Sequence, residues 1–129
     1  MVQGFSDKTV IGVLGLTFKP NTNDVRNSLA IEIIRRLKEK GVHIKAYDPK
    51  GLEEAKKYLA DVLFYDDMYE AVKDVNALLI LTAWEEFKEI DLEKLKSLVK
   101  NPIVLDGVNV LDPKRLKEYG FIYEGIGVR

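Results

Sequence analysis

The sequence has no cysteine, a single histidine, a single tryptophan and four prolines in 129 residues. Without cysteine this chain carries no disulfide, no thiolate metal site and no cysteine nucleophile. The lone His43 excludes a multi-histidine metal centre. Charge of one sign is also lacking: 20 Lys and Arg stand against 21 Asp and Glu, a formal net charge of −1. A general nucleic-acid binder carries a basic excess, so no nucleic-acid partner is expected. No apolar run approaches the roughly 20 residues that cross a bilayer. The start, Met1 to Asp7, has neither the basic head nor the apolar stretch of a signal peptide. The expectation is a cytoplasmic chain with no membrane association.

What is present is ordinary globular material: 47% hydrophobic and 32% charged residues, a balance suited to one folded domain. Apolar runs and helical periodicity alternate along it. Thr9–Leu14 ends at Gly15 and reads as a buried strand. Leu29, Ala30, Ile33, Ile34 and Leu37 repeat at helical spacing, with Ser28 as N-cap and Gly41 as the residue after the C-cap. Val42–Tyr47 is a second strand stopped by Asp48-Pro49. Gly51–Leu59 is a short helix and Val62–Tyr65 a third strand. Asp66 or Asp67 caps a helix through Ala71 and Val72. Ala77–Leu81 has the unbroken apolar look of a central parallel strand. A helix marked by Leu92, Leu95, Leu98 and Val99 closes at Asn101-Pro102. Ile103–Leu105 forms a strand, Lys114–Tyr119 a helix, and Phe121–Tyr123 a final strand. Strands separated by helices predict a Rossmann-like, doubly wound α/β domain, with a mostly parallel sheet and helices on both faces. Ligands of such sheets bind beyond the carboxyl ends of the strands. The places to look are therefore Gly15–Asn27, Asp48-Pro49, Thr82-Ala83-Trp84 and Asp106–Asn109.

The first of these is the most informative. A dinucleotide fingerprint runs G-x-G-x-x-G directly into a helix. Here Gly12 and Gly15 have the wrong spacing, and Pro20 pushes Lys19 toward extended backbone and delays the helix. About a dozen residues remain as loop, a length that is uncommon without a function. The loop holds two cations, Lys19 and Arg26, ahead of a helix start, which suits phosphate. The plainer alternative is solvated cations among turn-forming Asn and Asp.

The stretch from Gly15 to Ser28, Gly-Leu-Thr-Phe-Lys-Pro-Asn-Thr-Asn-Asp-Val-Arg-Asn-Ser, resembles the signature that opens the C-terminal, UDP-binding domain of the UDP-glucose/GDP-mannose dehydrogenases. Ala46-Tyr47-Asp48-Pro49, Leu81–Phe87, Asp106-Gly107-x-Asn109 and Gly120–Gly127 follow in the family's order. The resemblance covers about residues 8–129, which leaves 1–7 as an N-terminal tail. The Tyr47-Asp48-Pro49 and Trp84 forms favour the UDP-glucose branch.

The resemblance implies a part of an NAD-dependent oxidoreductase that takes C6 of a nucleotide sugar from alcohol to carboxylate, as in polysaccharide biosynthesis. It implies partners as well: a UDP-sugar, an N-terminal NAD-binding domain with the catalytic cysteine, and a central dimerisation domain. By motif position Phe18 and Lys19 would bind substrate, and Arg26 would reach toward NAD. No catalytic residue and no metal ligand is expected in this chain, which alone should be inactive. It is either a fragment or separately encoded. Departures from the pattern are Asn23 for Asp, Asn27 for Glu, Leu29 for Pro, Ala83 for Glu, and Val108 for the Arg of Asp-Gly-Arg-Asn.

Other readings stand beside these. The same fold could serve as a stand-alone nucleotide-binding regulatory or assembly module without redox chemistry, or as a coenzyme A or mononucleotide binder. Asp48 sits where a Rossmann acid holds ribose, but Asp-Pro is equally a strand stop. Trp84 is either a ligand platform or packing. Asp66-Asp67 reads as helix capping, because a phosphoacceptor cluster needs acids at the end of the first strand, where Leu14-Gly15 stands. A functional role for His43 is the minority reading.

Overall fold

The computed structural model describes residues 8–125. The tail assigned to residues 1–7, and Ile126 and Gly127 of the last motif, lie outside the described residues. Twelve elements run in strict alternation early on: β1 (Val10–Leu14), α1 (Leu29–Glu39), β2 (His43–Tyr47), α2 (Leu52–Lys56), β3 (Leu63–Phe64), α3 (Met68–Val72) and β4 (Ala77–Ile80). Two helices then follow together, α4 (Glu85–Lys88) and α5 (Leu92–Leu98), before β5 (Ile103–Asp106), α6 (Pro113–Glu118) and β6 (Ile122–Gly125). The strands form one sheet in the order β3-β2-β1-β4-β5-β6, and every pairing is parallel. This is the doubly wound order whose reversal lies between β1 and β4.

Period-two alternation sorts the strand residues onto two faces. Ile11, Val13 and Leu79 join the side covered by α1 and α2, with Ala30, Ile34 and Ala55. Leu14, Leu78 and Ile80 join the other side, where α3, α4, α5 and α6 contribute Met68, Val72, Phe87, Leu95 and Leu116. Both faces of β1 and β4 are therefore sealed. That explains their near-continuous apolar runs. Truncating one of these fully buried side chains, such as Ile34 or Leu78, removes about 2–5 kcal/mol.

The helix signals act as the sequence implies. Ser28 Oγ accepts from the Ala30 amide at 3.1 Å, and Gly41 takes φ +86°, which a side chain would strain. At the third helix Asp67 is the cap, accepting from the Tyr69 amide. Several elements differ from expectation. β3 shrinks to two residues and α2 to five. α4 is a single turn with no side-chain cap, too short to show a helical period. Phe121 lies just before the last strand and is buried, and β6 runs on to Gly125.

Candidate functional site

The carboxyl ends of the strands carry two very different surfaces. The first is a buried knot around Asp48, the residue that follows β2 and is 1% exposed. Oδ2 accepts from the Leu16 amide at 2.7 Å, the Thr17 amide at 3.1 Å and Trp84 Nε1 at 3.2 Å, with the Thr17 hydroxyl at 3.3 Å. Oδ1 accepts from the Lys50 and Gly51 amides at 2.9 and 2.8 Å. Five N–H groups thus surround one carboxylate, and among the described residues no Lys or Arg pairs with it. Every lone-pair direction is used inside the protein, which leaves none for a ribose hydroxyl. Asp48 is the strand stop of the two readings open to it.

Trp84 resolves in the same way. It is buried, and its indole N–H is shared between Asp48 Oδ2 and Thr17 Oγ1, at 3.1 Å to the latter. Thr82, also buried, donates to the Thr17 carbonyl at 2.9 Å. A Cβ on Gly15, at φ +102°, would sit 2.5 Å from the Thr82 amide nitrogen. The loops that follow β1 and β4 therefore touch at the strand-order reversal, with Thr82 against Gly15. Tyr47 and Glu86 reinforce the contact: the phenol donates to both carboxylate oxygens, at 2.8 and 3.0 Å, and Phe87 meets the ring edge-on. Burial, first, and the Glu86 carboxylate raise the phenol's pKa well above the ordinary range.

The second surface is the loop that emerges from this knot. Phe18 is 56% exposed, a large apolar ring left in solvent. Lys19 is exposed and forms no ion pair among the described residues. Residues 18–24 hydrogen-bond within themselves: the Phe18 amide donates to the Asp24 carbonyl at 2.8 Å, and the Asp24 amide to Thr22 Oγ1. Asn21 and Asn27 take φ +68° and +62°, the left-handed turns that Asn tolerates. Val25, 3% exposed, returns the chain to the core before Ser28 starts α1. Arg26 forks onto Asp24, with Nε and one terminal nitrogen each 3.1 Å from a carboxylate oxygen. That guanidinium holds Asp24 below the usual carboxylate range. Arg26 borders a cavity of about 230 Å³ with Arg35 and Tyr58. Phe18, Lys19 and Arg26 thus stand exposed on one loop, between β1 and α1.

A third loop follows β5. Asp106, fully buried, accepts from the Val108 and Leu111 amides and from the Tyr123 phenol. Burial, with the Asp106 carboxylate beside it, pushes the Tyr123 phenol up to about 12. Val108 is half-buried against the core on the α3–α6 side, so it is a packing residue where an arginine would extend a fork. His43 opens β2 at the opposite, amino end of the sheet. Among the described residues no three His, Cys, Asp or Glu side chains cluster to hold a metal. No helix there is long and apolar enough to cross a membrane. The contacts of Thr17, Thr82 and the Tyr47–Glu86 pair escaped sequence reading. Their partners lie 31 to 67 residues away, and no local spacing announces that.

Comparison with known proteins adds a family. The model of the UDP-glucose/GDP-mannose dehydrogenase family, UDP binding domain, matches residues 12–113. The chain is 46% identical over 127 residues to UDP-glucose 6-dehydrogenase TuaD of Bacillus subtilis (strain 168), across 98% of this chain and 28% of that protein. Among solved structures it is similar to a UDP-glucose dehydrogenase from the hyperthermophilic archaeon Pyrobaculum islandicum, at TM-score 0.75 and 35% identity, over 92% of this chain and 25% of that one. It is also similar to the NDP-N-acetyl-D-galactosaminuronic acid dehydrogenase from Methanosarcina mazei Go1, at TM-score 0.78 and 27% identity, over 94% and 25%. The chain spans little more than a quarter of the length of these relatives.

Proposed function

Because the chain belongs to the UDP-glucose/GDP-mannose dehydrogenase family, as its UDP binding domain, we propose that it holds the UDP end of a UDP-sugar for an NAD-dependent 6-dehydrogenase of the UDP-glucose to UDP-glucuronate type. The observation that carries this reading is the exposed Phe18-Lys19 pair on a self-bonded rim. An exposed ring beside a cation with no ion pair among the described residues fits a base or sugar face next to a diphosphate.

NAD, held mainly by an N-terminal domain outside this chain, supplies the hydride acceptor in such an enzyme. Here the residues fit one contact to it and no more. Arg26 offers a guanidinium on the exposed loop, while Gly12 and Gly15 lack the spacing of the glycine fingerprint that cradles a pyrophosphate. On this reading Asp24 aims the Arg26 fork outward until a partner domain and its cofactor meet it. Residues 8–129 form the domain, residues 1–7 precede it as a tail, and a central dimerisation domain completes the enzyme in the cytoplasm.

Two outcomes test the proposal. Calorimetric titration should find weak, salt-sensitive UDP binding, weakened roughly tenfold by Lys19→Ala through loss of one charge-assisted hydrogen bond. The purified chain should produce no NADH from UDP-glucose and NAD, since it lacks a thiol nucleophile. Undiminished UDP affinity in Lys19→Ala, or steady NADH production, would overturn it.

A further inference from the structure

We propose that Asp48, acting with Trp84 and Thr82, is a positioning residue for the substrate loop: the knot fixes Leu16 and Thr17, and so sets where Phe18 and Lys19 stand. The inference rests on the reading that Phe18 and Lys19 meet the UDP-sugar.

A strand stop needs only the local half of the Asp48 contacts, Oδ1 to the amides of Lys50 and Gly51. The other oxygen reaches back 31 and 32 residues to the loop after β1, and forward 36 residues to the loop after β4. That long-range half converges on Thr17. Its amide, hydroxyl and carbonyl are each engaged: by Asp48, by Asp48 with Trp84, and by Thr82. The next two residues are Phe18 and Lys19. Beyond them the loop is tied to itself and, through the Asp24 carboxylate, to Arg26, until Val25 re-enters the core. The segment thus hangs between two anchors, Thr17 and Val25, and the knot removes the freedom at the Thr17 end, next to Phe18 and Lys19, before any ligand arrives. Ordering the loop in advance lowers the entropic cost of binding.

The test compares four variants of the full 129-residue chain, at a temperature where each is fully folded. Trp84→Phe keeps the ring packing and deletes the shared N–H. Thr17→Val deletes the hydroxyl at nearly constant shape, and Thr17→Ser restores it. Asn76→Ala is the control. Its side chain ties Val10 to Asn101 at the amino end of the sheet, far from the loop. UDP affinity is read by calorimetry, and amide hydrogen exchange is read in the UDP-free proteins.

Trp84→Phe and Thr17→Val should weaken UDP binding roughly three- to tenfold. They should also speed exchange at Leu16, Thr17 and Phe18 while Lys50 and Gly51 stay protected. Thr17→Ser should bind like the parent. Asn76→Ala should melt earlier with its affinity intact. If the parent binds UDP and both knot variants bind it equally well, or if exchange quickens throughout the molecule, the positioning role is refuted. A parent that binds no UDP refutes the proposed function instead, and exchange at residues 16–18 then decides by itself whether the knot holds the loop.

Discussion

Asp48 and Lys19 lie close in the chain's architecture and could hardly differ more. One is a carboxylate sunk among five N–H donors, and the other a cation left in solvent with no ion pair among the described residues. Both sit at the carboxyl edge of the same parallel sheet, where ligands of this fold bind. The difference shows that a charge at a binding edge is not by itself a binding charge. Asp48 stands where a ribose-binding acid would be sought, yet its acceptor capacity is spent on the protein. Lys19 has the opposite status, and only such a group has free energy left to give a ligand.

The comparison is broken most forcefully at Asp48. Asp48→Asn keeps the shape but turns one acceptor into a donor among N–H groups. Each buried amide left without a partner costs about 1–3 kcal/mol, and at least two lose theirs, so the variant should lose at least about 2 kcal/mol. Denaturant unfolding checks this. Asp106→Ala strips three donors of their acceptor in a smaller knot and should cost about 2 kcal/mol by the same measurement.

A gentler probe is alkaline pH. In the unfolded chain a tyrosine loses its proton near 10.0, whereas folded Tyr123 keeps it to about 12 and Tyr47 is raised as well. Above pH 10 the unfolded state thus binds fewer protons than the folded one. Stability contributed by these phenols is complete below that pH and falls as pH rises through 10 toward 12. Tyr123→Phe should flatten this decline in a series of melting curves. An unchanged slope would show that the Asp106 contact does not hold the proton. On the loop, Asp24→Ala should leave the melting temperature essentially where it was, because Arg26 is exposed and its pair with the half-buried Asp24 is screened by solvent.

Much of this division was written in the chain. The α/β order followed from apolar runs alternating with helical spacing, because β1 and β4 are sealed on both faces and α1 is sealed on one. Phe18, Lys19 and Arg26 were legible as a group through a contiguous motif, and the structure sets them on one loop. Val108 and Asp48 were legible only as positions. Burial decides what each does, and burial of a loop residue depends on neighbours that lie dozens of residues away. Thr17 and Thr82 were legible only as members of their motifs, since a threonine bonded to a distant carboxylate or backbone carbonyl looks like any other threonine. α4 was missed because a four-residue helix shows no period.

The account stands on the claim that the floor is finished and the rim is open. Amide chemical-shift mapping during a UDP titration tests it most directly. The account predicts shifts concentrated in residues 18–27, smaller in Lys19→Ala, while the amides of Leu16 and Thr17 stay equally protected from exchange before and after UDP. Shifts that leave residues 18–27 untouched, or protection at Leu16 and Thr17 that arises only when UDP is added, would contradict it.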